Sequence, residues 1–377
     1  MLPLMQPEPP PQDPDELVRF SRSERKRRAK LRALPTWGET PQQTLQRRTE
    51  LVKNLALQHG FSRVGIARAQ HLHADEARLH AWLAAGMHAS MTWLADEVAR
   101  RCDPEQVVAG AQSVIVLALD YDSAQPRTRD VELKTTDRAW LSRYAWGEDY
   151  HLVMEKRLKK LDLAVTQALK PELGEQFRGP SGPIQPWKAV RDFRYMVDYG
   201  PALEREWAVR AGLGWRGKHS LVIHPRHGSF FFLAAIVTSL ELQPDEPIGD
   251  FCGTCTACLD ACPTQAIVQP YVVDARLCIS HTTIENPGEI PEAERQLVGD
   301  QLFGCDICQD VCPWNRFSQP GDPLFQPRPG NVAPELHAIL QMTETDFAEH
   351  FARSAVKRRG LHGLQDNARA VREGRQR

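Results

Sequence analysis

No stretch of these 377 residues stays apolar for the length a membrane span requires, and the longest candidate, Phe230–Leu240, is short and mixed. Arg27-Arg28 is followed by AKLRALPTWGET, where a twin-arginine export signal would place an apolar segment, so export is not expected. Excess charge is missing too. Lys and Arg number 47 against 48 Asp and Glu, a net charge of −1, and no RNA-recognition motif stands out. The near-neutral total hides two basic runs. Arg19 to Arg32 holds eight basic residues and one acid, and Arg353 to Arg377 holds eight and two. Such runs are expected to be solvated tails, with contact to nucleic acid as the sharper alternative.

The chain does have FCGTCTACLDACP, residues Phe251–Pro263. Cys252, Cys255 and Cys258 recur every third residue, Cys262 follows, and Pro263 closes the run. This is the C-x2-C-x2-C-x3-C-P pattern of bacterial ferredoxins, in which three thiolates hold one iron–sulfur cube and the fourth leaves for another. Structural zinc, the bland alternative, usually takes two C-x2-C pairs a dozen or more residues apart. A partial repeat, Cys305-x2-Cys308-x3-Cys312-Pro313, lacks an early cysteine, and Cys278 is the candidate between the runs. One 4Fe–4S cluster would then take Cys252, Cys255, Cys258 and remote Cys312. The other would take Cys305, Cys308, Cys278 and remote Cys262. Cys102 is left as a small, buried residue. Cysteines committed in this way fit a reducing interior, so a cytoplasmic location is expected.

At this length two or three domains are expected. Residues 1–40, rich in proline and then basic, form a disordered extension in this reading. An α/β core over 41–243 follows, then a two-cluster domain over 244–318 and a small helical segment with a basic tail over 319–377. Periodicity places helices at Leu51–Gln58, His80–Leu94, Ala202–Gly212, Pro334–Gln341 and Glu344–Phe351. Met154, Leu158, Leu161, Val165 and Leu169 make one stripe of a further helix, near whose start Asp149 would act as a cap. Strands are expected at Phe61–Ala67, Ser113–Leu119, Leu221–Ile223 and Phe230–Val237, with Ser113–Leu119 central and buried. GLGWRGK offers three glycines where backbone could approach a ligand.

The cluster motifs together with RYAWGEDYH, VDYGPALER, AGLGWRGKHSL, DARLCISHTTIE and FGCDICQDVCPWNR resemble epoxyqueuosine reductase. The resemblance runs from about Gln42 to Asn367. It implies an α/β (α+β) cobalamin-binding core with a ferredoxin-like two-cluster iron–sulfur domain and a small helical C-terminal part. It also implies the last step of queuosine formation at the tRNA wobble position. By that resemblance electrons would pass singly through two 4Fe–4S clusters to give cob(I)alamin, and the epoxide oxygen would leave as water. Asp198, which by itself reads as a turn aspartate, maps onto the family's proton donor. A partly apolar surrounding with a raised pKa is expected for it. Arg205 would orient substrate or a phosphate. Arg101, Ser142, Arg143, Tyr144, Asp149, Tyr150, Gly214 and Lys218 are the expected cobalamin contacts. Asp149-x-His151-x-x-Met154 lacks the glycine of the D-x-H-x-x-G motif that supplies an axial histidine, so His151 is expected to hydrogen-bond or pack. The implied partners are tRNA and an electron donor such as ferredoxin or flavodoxin, with a monomeric chain and no membrane. A cobalamin-dependent reductive dehalogenase and a non-catalytic electron carrier are the alternatives.

Overall fold

The computed structural model describes residues 39–123, 133, 136–173, 178–179, 182–183 and 193–376. Apart from Glu39 and Thr40, the expected extension over 1–40 lies outside the described residues.

Helix α1 (Pro41–Gln58) starts well before the expected Leu51, because Thr40 and Gln43 form a reciprocal capping box and proline takes the first helical turn. After β1 (Arg63–Arg68) comes α2, which spans His73–Ala84 and not His80–Leu94. Gly86 and Ala89 adopt left-handed φ values of 67° and 52°, which ends regular helix there, and only a short 3-10 turn remains at Thr92–Leu94. Strand β2 (Ser113–Asp120) is buried along its whole length, as expected. Helix α3 (Tyr150–Leu173) carries the expected stripe, and β3 (Phe193–Met196) precedes α4 (Glu204–Arg210). A hairpin of β4 (Trp215–Arg216) and β5 (Val222–Ile223) leads to β6 (Phe231–Thr238).

The main sheet has the order β1-β2-β6-β3, and every neighbouring pair is antiparallel. The core is therefore of the α+β kind. Alternation along β2 sends Ile115, Leu117 and Leu119 to one face, where Val52 and Ala56 of α1 and the stripe of α3 cover them. Val114, Val116 and Ala118 face the other layer, against Trp207 and Ala208 of α4.

The cysteine-rich segment holds α5 (Ala257–Ala261) and α6 (Ile307–Asp310), and beyond it lie α7 (Leu336–Gln341) and α8 (Glu344–His350). The basic run after Arg353 is no solvated tail. It folds into α9 (Gly360–Gln376), whose Leu361, Leu364, Ala368 and Val371 pack into a core with Trp140, Trp146 and Phe303. Buried Asn367 donates to Thr283 O (2.8 Å) and Leu302 O (2.9 Å), and Asp366 accepts Ile290 N–H (2.7 Å). The arginines pair outward, Arg375 with Asp300 and Arg372 with Asp137. Among the described residues, no helix is long and apolar enough to cross a membrane.

Candidate active site

Where β3 ends, the chain bends through Val197–Pro201, and Asp198 takes φ 46°, a left-handed value that Asp tolerates better than most residues. Gly200 completes the bend. A Cβ there would lie 2.3 Å from Met196 Cγ, so no other residue fits without displacement. The bend delivers Asp198 to the N-terminus of α3. There Asp149 caps the helix as expected, its Oδ1 accepting His151 N–H at 3.0 Å. The same oxygen lies 2.8 Å from His151 Nδ1, while His151 Nε2 lies 2.8 Å from Asp198 Oδ1. Tyr150 donates its hydroxyl to Asp198 Oδ2, and its ring is stacked between Phe232 (4.2 Å) and His151 (4.0 Å).

The electrostatics follow from this contact list. Burial disfavours the His151 cation, but hydrogen bonds and charges from Asp149 and Asp198 outweigh it and raise the pKa to about 9. Burial and the neighbouring Asp198 push the Tyr150 phenol well above its usual range, so it stays a donor. Asp149 is partly buried, yet the bonds from His151 hold it below the usual carboxylate range. One expectation fails: the Asp198 side chain is 56% exposed, so the chain alone does not supply the apolar enclosure foreseen for it.

The other expected residues divide. Tyr144 is half-buried and packs edge-on to Tyr150, inside the group. Arg205, exposed on α4, donates among the described residues to Ser220 O and Oγ, both at 3.4 Å. Arg101 donates to the carbonyls of Asp96, Trp93 and Gly200, tying the Asp198 bend to the loop after α2. Ser142 and Arg143 turn inward instead of toward a ligand. Ser142 Oγ and the Arg143 N–H both donate to buried Asp306, and the buried Arg143 guanidinium faces Asp122 and Asp310. Gly214 is needed because a Cβ would lie 2.2 Å from Ile223 O across the hairpin; the close approach is to the chain itself. Lys218 clamps the cysteine loop by donating to Gly253 O (2.7 Å) and Cys255 O (2.8 Å).

The cysteines gather as two groups. Cys252, Cys255, Cys258 and Cys312 line one cavity beside Trp314. Burial, then Cys312, Cys252 and Cys255, raise the Cys258 thiol to about 11. Cys308 is raised by burial first and then by neighbours that include Cys278 and Cys262, and Cys305 by burial and then Cys308. Cys102 stands apart, fully buried, with burial and the acids Glu76 and Asp75 lifting it to about 11. Three residues escaped sequence reasoning: Asp306, Glu204 and His219. Asp306 lies between two motif cysteines, Glu204 inside VDYGPALER and His219 inside AGLGWRGKHSL, so all three stood in quoted motifs without a distinguishing signal.

Residues 251–315 match the model of a 4Fe-4S double cluster binding domain, and residues 101–178 match the model described as Epoxyqueuosine reductase QueG, DUF1730. The epoxyqueuosine reductase of Cellulophaga algicola is 41% identical over 325 residues, 86% of this chain and 98% of its own length. That of Escherichia coli K12 is 40% identical over 329 residues, 87% and 81% of the two lengths. The chain belongs to the epoxyqueuosine reductase family. Solved epoxyqueuosine reductases share its fold. A selenomethionine-labelled one gives a TM-score of 0.73 at 30% identity, over 85% of this chain and 80% of that one. One bound to an epoxyqueuosine-modified tRNA-Tyr stem loop gives 0.71 at 31%, with the same coverage. A Bacillus subtilis epoxyqueuosine reductase described with its catalytic aspartate loop swung out of the active site gives 0.71 at 30%, again over 85% and 80%. As an epoxyqueuosine reductase the chain uses the family's cofactors, cobalamin and two 4Fe–4S clusters. The dehalogenase and electron-carrier alternatives give way to this reading.

Proposed function

We propose that the chain reduces epoxyqueuosine to queuosine at the wobble position of tRNA, with Asp198 as proton donor and His151 as the group that recharges it. Loss of the epoxide oxygen as water consumes two electrons and two protons, and the departing oxygen needs an acid beside it. The observation that carries the reading is the His151 ring, bonded through one nitrogen to Asp149 and through the other to Asp198. With a pKa near 9 it holds a proton at neutral pH and faces the exposed carboxyl across a single hydrogen bond. Tyr150 fixes the other Asp198 oxygen. Exposure of Asp198 suits an acid that meets its substrate from outside, and a base seated over it would supply the dry surrounding. Mobility of a catalytic aspartate loop in the Bacillus subtilis relative agrees with placing this acid on a bend.

The residues beside Asp198 fit a cobalamin. Buried Glu204 Oε1 has no hydrogen-bond partner among the described residues, and burial lifts its carboxyl to about 7. It can accept from, or donate to, the amides that rim a corrin. Bound there, cobalamin supplies the reducing equivalents for breaking the carbon–oxygen bond. Glu204 and Tyr144 would hold it, while Asp198 and Tyr150 position the substrate oxygen. Cys252, Cys255, Cys258 and Cys312 would ligate one cluster and Cys262, Cys278, Cys305 and Cys308 the other. A small reduced protein of the ferredoxin or flavodoxin kind would feed a monomeric chain in the cytoplasm.

The test is direct. Anaerobically purified chain, loaded with cobalamin and reduced, is given a tRNA anticodon stem loop carrying epoxyqueuosine, and the nucleosides are separated by mass. Queuosine should form only with cobalamin present. Unchanged epoxyqueuosine in the fully loaded, reduced chain would sink the proposal.

A further inference from the structure

The β4–β5 hairpin carries a donor with nothing to donate to. His219, 4% exposed, sits at its tip, and its Nδ1 accepts the Leu221 N–H at 3.2 Å. That bond leaves Nδ1 without a proton and puts the ring hydrogen on Nε2. Among the described residues Nε2 is buried and has no partner, and buried N–H groups without an acceptor are costly and rare. The position is built. Gly217 N–H donates to Leu221 O and Ser220 N–H to Gly217 O, both at 2.8 Å, and Ser220 takes φ 68°. A Cβ at Gly217 would lie 2.8 Å from His219 Cε1, so glycine leaves room for the ring. Lys218 anchors the tip to the loop of Cys252 and Cys255 through Gly253 O and Cys255 O.

The ring lines the cavity of Cys252, Cys255, Cys258 and Cys312. A second observation points the same way. Trp215, on the same hairpin and packed on Cys312 and Cys252, turns its own buried Nε1–H toward the Cys252 sulfur. We propose that His219 Nε2–H donates a hydrogen bond to a sulfur of the cluster held by these four cysteines and thereby raises that cluster's reduction potential. The proposal rests on the ligand sets assigned above. Reduction adds negative charge to the cluster, a hydrogen bond to its sulfur strengthens with that charge, and such bonds are among the determinants of cluster potential. His219 is thus a positioning residue that acts through the cluster.

Two substitutions separate donor from scaffold. His219→Asn keeps an acceptor for Leu221 N–H but is too short to bring a donor to the sulfur. His219→Gln carries an amide N–H about as far as Nε2. Full-length wild type and both variants are purified anaerobically, assayed for iron, and titrated by potential with low-temperature electron paramagnetic resonance. In His219→Asn one of the two midpoints should move negative. The reduced-to-oxidised ratio at the wild-type midpoint should fall about tenfold, or about 59 mV for a one-electron couple. His219→Gln should recover most of it. Two unmoved midpoints in His219→Asn at full iron overturn the hydrogen bond alone. Wild type with iron for one cluster would instead overturn the ligand sets.

Discussion

His151 is clasped through both ring nitrogens, and its charge is the quantity that pH will read. Its pKa, raised on folding from 6.5 to about 9, stabilises the native state fully below 6.5. That contribution is lost as pH rises through about 9. Urea midpoints of wild type and His151→Gln should therefore differ most below pH 6.5 and converge above 9; a constant gap across that window would contradict the charged-histidine reading. The same residue should shape the rate, with single-turnover reduction by pre-reduced enzyme falling on the alkaline side near pH 9. Asp198→Asn keeps shape and loses the transferable proton, so turnover should drop by about 10²–10⁴ while cobalamin, iron and tRNA are retained. Asp149→Asn removes the first of the bonds that keep His151 charged, so it should lower stability and move the alkaline fall in rate toward neutral pH. A dead Asp149→Asn beside an active Asp198→Asn would move the acid to Asp149.

Helix α9 shows where sequence reasoning was blind. Leu361, Leu364, Ala368 and Val371 step by three, four and three, a seam that predicts burial, but eight basic residues around it read as solvent. Charge density marks an outer face without excluding an inner one. Leu364→Ala should cost about 2–5 kcal/mol in urea unfolding. Arg372→Ala, whose partner Asp137 is exposed, should cost about 1 kcal/mol or less. The central strand and the stripe of α3 were legible because an unbroken β-branched apolar run and a step of three and four are local signals that need no knowledge of the surrounding. The end of α2 did carry a signal, Gly86 in the left-handed position just past the C-cap, but the apolar spacing of Trp82, Leu83 and Met87 ran through it. At the site, Asp198 and the cysteines were visible as motif residues, and Asp149 as a cap. The inward turn of Ser142 and Arg143 was invisible, because it is decided by Asp306, far along the chain.

For the molecule as a whole, the two cysteine groups predict about eight irons and eight acid-labile sulfides per chain; stoichiometric zinc would contradict them. Deleting residues 1–40, with their basic run, should flatten the salt dependence of tRNA binding by removing counterion release, while turnover at saturating tRNA holds. An unchanged slope would make that run a bystander. Finally, Trp314 lines the cavity of Cys252 and Cys312, and Trp215 packs on the same two cysteines, its ring centred 4.9 Å from Trp314 and 5.2 Å from Phe251. An iron–sulfur cube absorbs broadly through the near ultraviolet and visible, so these indoles lie at contact range of an efficient energy acceptor. The protein should be dim when loaded and brighten as a chelator strips it. Trp314→Phe should shrink that rise, giving a lamp that reports the occupancy of one cluster without opening the anaerobic cell.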